Sequence, residues 1–108
     1  MKKTPQLVFL LLLGAGCSAS PATRESIDDP GQLLFNGYVH ESVDCYACHG
    51  GAGTGTWKGA NLVGIGARED RAEIEKSIRS GPGIMPAYEG KLTAVEMNEI
   101  IDWLETLK

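Results

Sequence analysis

The chain has 108 residues, with 14 acidic and 10 basic side chains and a formal charge of −4. That length sets one small domain, and the acidic surplus argues against nucleic acid as a partner. It weakly favours a basic docking patch on a protein partner, although plain solubility asks for the same balance.

The chain opens with Lys2 and Lys3, an apolar run from Leu7 to Leu13, and then Gly14-Ala15-Gly16-Cys17. A charged start, a short apolar centre and a small-residue exit read as a secretory signal, and the run is too short to span a bilayer. The Gly-Ala-Gly-Cys end resembles the lipobox of bacterial lipoproteins, in which the cysteine is acylated and becomes the first mature residue. Gly14 stands where that motif usually has leucine, with Leu13 one step further back, and ordinary cleavage near Ala19 is the alternative. Residues 1–16 are therefore expected to be removed, leaving 92 residues of charge −6 outside the cytoplasm, in the periplasm and anchored to a membrane through Cys17.

Residues 17–28 then read as a lipid-anchored tether, since Ser18 to Asp28 is rich in Ser, Pro, Thr and charge without an apolar period. Stretched out, it reaches about 35 Å at roughly 3.3 Å per residue, so an anchored form meets only partners near the same membrane.

Residues 29–108 form the expected domain. Its first helix starts with Asp29 as N-cap and Pro30 at the first helical position, with Gln32 as a variant capping box. Leu33, Leu34 and Phe35 supply its apolar side, and it is expected to run to about Tyr38. Residues 39–44 then connect to a short helical turn.

That turn holds Cys45-Tyr46-Ala47-Cys48-His49, a Cys-x-x-Cys-His run that reads as the attachment site of a c-type haem. Two thiols one helical turn apart can add across the two vinyl groups of a single porphyrin, and the adjacent histidine then reaches the iron as proximal ligand. A redox disulfide normally sits in a strand-rich context, which is lacking here. A zinc site needs four ligands, and beyond these three side chains only His40 and Cys17 remain. With two cysteines taken by haem and Cys17 by lipid, none is left for a structural disulfide.

From Gly50 to Gly66 lie seven of the chain's 14 glycines, which predicts a loop approaching something closely along the proximal haem face. It has no Gly-Lys-Ser/Thr end and no preceding strand, so a phosphate loop does not fit. A second helix follows over 69–79, with Ile74 and Ile78 on one face and Gly81-Pro82 as its stop. The last helix has Thr93 as N-cap, Glu96 completing a capping box, and Leu92 stapled onto Met97. Met97, Ile100, Ile101, Leu104 and Leu107 form its apolar stripe.

The second iron ligand is assigned to Met85. It lies in the non-helical run Gly81-Pro82-Gly83-Ile84-Met85-Pro86, where Pro86 pushes it toward an extended backbone. Its soft sulfur favours ferrous iron. Core filling is the alternative use of a methionine, but Met97 already has a place in the core stripe. His40 is the other candidate ligand and reads better as a surface histidine on the connection.

These residues resemble the single-haem class I cytochromes c over about residues 29–107. Gly31-x-x-x-Phe35 looks like that family's glycine and aromatic on the first helix, Cys45 to Gly50 its haem motif, and Met85-Pro86 its axial-ligand motif. Ile101-Asp102-Trp103-Leu104 looks like its terminal helix, which makes Trp103 an interface residue. The resemblance implies a small all-α fold, with three main helices packed around one covalent haem c held by Cys45, Cys48, His49 and Met85. Two departures stand out. Gly59-Ala60-Asn61-Leu62 replaces the usual Gly-Pro-x-Leu, whose carbonyl accepts the proximal histidine's ring proton, a role an alanine carbonyl can also fill. The stretch from Phe35 to Cys45 is several residues longer than the minimal pattern and reads as a neutral loop. Trp57 and Tyr88, near the haem edge, are read as packing residues, with a hydrogen bond to a propionate as the alternative.

The expected function is electron transfer to and from redox partner proteins, not enzymatic turnover, because an iron with both axial positions filled offers a small substrate no vacant site. The rivals are a gas-binding or peroxide-reactive haem with a labile sixth ligand, and a tethered cytochrome subunit of a respiratory or dehydrogenase complex.

Overall fold

The computed structural model describes residues 19–108. The signal-like run, the cysteine at 17 and Ser18 lie outside the described residues. Five α-helices follow a 3-10 turn at Arg24–Ser26: α1 (Pro30–Phe35), α2 (Tyr46–His49), α3 (Ile65–Arg68), α4 (Arg71–Ser80) and α5 (Ala94–Glu105). Among the described residues there is no strand, and no helix is long and apolar enough to cross a membrane. The all-α class holds, with α1, α4 and α5 as the three main helices.

α1 begins as the sequence implies. The Asp29 carboxylate accepts from the Gly31 amide at 2.8 Å, and Pro30 occupies the first turn. The helix stops at Phe35, short of Tyr38, because Gly37 takes a left-handed φ of 77°. The Gly37 amide then donates to the Leu34 carbonyl and the Tyr38 amide to the Leu33 carbonyl, both at 3.1 Å, which closes a Schellman turn. Gln32 does not cap the helix start. Its amide reaches across to the Gly51 carbonyl at 3.3 Å.

α5 carries the capping box in full. Thr93 Oγ1 accepts from the Glu96 amide at 3.1 Å, and Glu96 Oε1 accepts from the Thr93 amide at 3.0 Å. Met97, Ile100, Ile101, Trp103 and Leu104 are buried on its inner face, while Leu92 and Leu107 pack against the same cluster from either end. α4 starts at Arg71, with Asp70 as N-cap accepting from the Glu73 amide at 3.0 Å. Glu69 is extended and links α4 to α3, a single turn that begins in the last two residues of the stretch expected to be loop.

The most extensive helix contact is the crossing of α1 and α5. At Gly31 the two backbones meet so closely that a methyl would land on the Glu99 carbonyl and 2.8 Å from Trp103 Cβ. The crossing brings the Phe35 and Trp103 rings to 4.9 Å, tilted by 56°. Trp103 is thus the interface residue that the resemblance implied.

The stretch read as tether is not free along its length. The Ala22 amide donates to Asn36 Oδ1 at 2.8 Å, Tyr38 donates its hydroxyl to the Ala22 carbonyl at 2.7 Å, and Ile27 is buried. Ala22 and Ile27 are held against the domain, with the exposed residues 23–26 arching between them.

Gly31→Ala is expected to destabilise the haem-loaded protein by about 1–3 kcal/mol, the range for overpacking a well-fitted contact. Denaturant unfolding checks this, and an unchanged midpoint would contradict the close crossing.

Candidate functional site

α2 is one helical turn, with Cys45 as its N-cap and Cys48 and His49 within it. The His49 amide donates to the Cys45 carbonyl at 3.0 Å, so the motif is wound into a helix that sets both thiols one turn apart. Burial pushes the Cys45 thiol up to about 12, with Asp44 and Cys48 beside it adding to the rise. A redox-active Cys-x-x-Cys depends on a lowered thiol pKa, so this environment is the opposite of what that chemistry uses.

The His49 ring is fixed from behind. Nδ1 lies 2.8 Å from the Ala60 carbonyl, which can only accept; Nδ1 therefore carries the proton and Nε2 keeps its lone pair. The alanine carbonyl thus makes the contact that the missing proline put in question. The Phe35 ring stands 6.3 Å from the imidazole, so the helix crossing and the motif share a wall.

Two cavities open from this motif, of about 310 Å³ and about 160 Å³. Cys45, His49 and Met85 line both. The larger is completed by Cys48, Ala60, Pro82, Ile84 and Tyr88, and the smaller by apolar side chains including Phe35, Leu62, Ile78 and Leu104. Met85 is half-buried and reaches this space from the loop after α4. That loop folds back tightly: a methyl on Gly81 would meet the Ala87 amide nitrogen at 2.6 Å, and the Tyr88 amide donates to the Ile78 carbonyl at 3.0 Å. Met97 is in the core at 2% exposure, consistent with its place in the α5 stripe.

Two thiols, an imidazole with a free lone pair and a thioether thus converge on an apolar cleft. The donor set and lining fit a flat, largely apolar macrocycle that carries iron. His40 does not join it. Its Nε2 lies 2.8 Å from Glu96 Oε2, and the Glu96 carboxyl is held below its ordinary range, first by the Thr93 amide and then by His40. Tyr88 packs as expected, buried with its hydroxyl donating to Asp44 Oδ1 at 3.1 Å; burial, with Cys45 and Asp44 adding, raises its pKa. Trp57 does not pack: it is 84% exposed.

One residue behind the site gave no signal in the sequence. Asn36 is 2% exposed, and its Nδ2 donates to the Gln32 carbonyl at 2.9 Å and the Gly51 carbonyl at 3.0 Å while Oδ1 accepts from Ala22. A single amide therefore joins the N-terminal segment, α1 and the loop just after His49. In sequence it looks only like the polar end of a helix before a glycine.

A fold of this kind around such a cleft defines a protein that carries one covalent haem c. The comparisons give the family. Residues 31–104 match the family described as "Cytochrome C oxidase, cbb3-type, subunit III", and the chain belongs to that family of c-type cytochrome domains. It is also similar to cytochrome c-550 of Bacillus subtilis (strain 168), with 27% identity over 124 aligned positions that cover all of both chains. No solved structure matches it. The chain is a monohaem c-type cytochrome, and its chemistry is haem-based electron transfer with redox partner proteins.

Asn36→Ala leaves the Ala22 amide and the Gly51 carbonyl without this partner, and is expected to cost about 2 kcal/mol of stability in the haem-loaded protein. Denaturant unfolding and faster amide exchange at Ala22 check this; wild-type values for both would contradict the bridging role.

Proposed function

We propose that this protein is an extracytoplasmic carrier of single electrons. In this reading Cys45 and Cys48 would hold the haem covalently, and His49 and Met85 would ligate its iron. The observation that carries it is the sharing of both cavities by Cys45, His49 and Met85. Bound haem supplies the one-electron couple of its iron. The chain's own residues do the rest: the Ala60 carbonyl orients His49, the loop closed at Gly81 holds Met85, and the apolar lining excludes water and so favours the less charged, reduced state. With His49 and Met85 as its ligands the iron would offer a small substrate no vacant site, which weighs against a gas-binding or peroxide-reactive role.

A second reading has a specific observation in its favour, since the matching family is described as a subunit of an oxidase. The chain would then be the cytochrome subunit of a larger complex, and co-purification with one would mark it. Both readings share the same haem chemistry.

The reading includes residues 1–16 as a removed signal, Cys17 as a lipid anchor, and a membrane-held periplasmic protein. Because Ala22 is hydrogen-bonded to the domain, only about five residues separate the anchor from its first fixed point. At roughly 3.3 Å per residue this is about 17 Å, half the reach of a free tether. The domain would ride close to the membrane surface.

Met85→Ala is expected to let carbon monoxide bind the ferrous protein and to lower its reduction potential; no change in either would move the ligand elsewhere. Cys17→Ala is expected to release the protein from membranes into the soluble fraction, and undiminished membrane association would contradict the anchor.

A further inference from the structure

The two walls of the cleft come from different parts of the chain. Cys45, Cys48 and His49 stand on α2 and its N-cap, whereas Met85 stands on the loop after α4. That loop has little to hold it. From 82 to 91 every residue is exposed except Met85, which is half-buried, and Tyr88, which is buried at 3% exposure. Beyond its own turns, its backbone bonds reach only α4 among the described residues: the Tyr88 amide donates to the Ile78 carbonyl at 3.0 Å and the Glu89 amide to the Arg79 carbonyl at 3.2 Å.

Across the cleft there is one hydrogen bond. Tyr88 donates its hydroxyl to Asp44 Oδ1 at 3.1 Å, and among the described residues no other hydrogen bond joins the segment 81–91 to the segment 39–64 that carries the attachment motif. Both partners line the larger cavity together with Cys45 and Met85. Asp44 is well placed for the task, because its neighbour Val43 has no exposure and its own carbonyl accepts from the Ala47 amide at 2.9 Å, just ahead of α2. A tyrosine hydroxyl has one proton to donate, and burial pushes its pKa above the ordinary range, so the proton stays in the bond. A phenylalanine would fill the same space, and only the hydroxyl makes the bridge.

We propose that Tyr88 and Asp44 are positioning residues, whose hydrogen bond clasps the Met85 loop onto the attachment turn and governs how tightly the thioether shuts the sixth position of the iron. This rests on the reading of Met85 as axial ligand and names the residues that keep it there. In a loop otherwise exposed, the share of molecules whose thioether has swung away depends on this bond. An outside ligand binds only that open share, so its apparent affinity is reduced by the same fraction. Loosening the clasp raises both together.

Imidazole added to the ferric haem-loaded protein, followed by loss of the methionine–sulfur charge-transfer band, reads that open share. Tyr88→Phe and Asp44→Ala are each expected to raise the apparent imidazole affinity about tenfold, the scale of a hydrogen bond to a charged group. The double variant is expected to add little beyond either single one, as two partners in one bond require. Asp44→Asn, whose Oδ1 still accepts, is expected to stay within about threefold of the unsubstituted protein. Unsubstituted affinity in either Tyr88→Phe or Asp44→Ala, while Met85→Ala raises it, would overturn the clasp and leave the ligand reading standing. Additive effects in the double variant, or an Asp44→Asn protein as open as Asp44→Ala, would overturn it as well. Met85→Ala that binds imidazole no better than the unsubstituted protein would instead overturn the ligand reading beneath it.

Discussion

The rest of the structure depends on the backbone contact of α1 with α5 at Gly31. Because that residue has no side chain, the helices approach until the Glu99 carbonyl and Trp103 Cβ fill the space a methyl would take. Phe35, one turn on from Gly31, is thereby set between Trp103 and the His49 imidazole. The same ring lines the smaller cavity together with Ile78 of α4 and Leu104 of α5. One missing Cβ therefore links the packing of the terminal helices to the position of the His49 imidazole.

A chain this short has little core of its own, and its buried cluster is built around a cleft rather than closed over it. Covalent haem fits this economy, since a buried macrocycle adds apolar contact that 108 residues cannot supply alone. The attachment motif sits on a helix of four residues, too short to be stable by itself, and is held by tertiary bonds on both sides. Asn36 ties the loop after His49 to α1 and to the N-terminal segment, and Ala60 holds the ring. The account of function therefore rests on the setting of the motif as much as on the motif.

Much of this was legible in the residues because it depends on local chemistry. The caps at Asp29 and Thr93, the α5 stripe, the Gly81 stop and the Cys-x-x-Cys-His spacing are written within a few positions of one another, and all appear as expected. What was missed depends on distant partners. Gln32 could have capped its own helix, but Gly51 offered its amide a different acceptor; Gly37 cut α1 short of Tyr38. Nothing near Ala22 announces that Asn36 and Tyr38 will hold it, so a polar, proline-bearing segment read as free tether. Trp57 failed in the other direction: its aromatic character suggested burial, while the turn around Thr56 turns it to solvent.

The central claim is that Cys45, Cys48, His49 and Met85 hold one haem whose iron is closed to outside ligands. An optical spectrum of the haem-loaded protein, oxidised and reduced, before and after carbon monoxide, tests it most directly. The account predicts a low-spin haem that resists extraction, with a methionine–sulfur charge-transfer band in the ferric state and no response to the gas. Ready carbon monoxide binding, or haem released by acid and organic solvent, would contradict it.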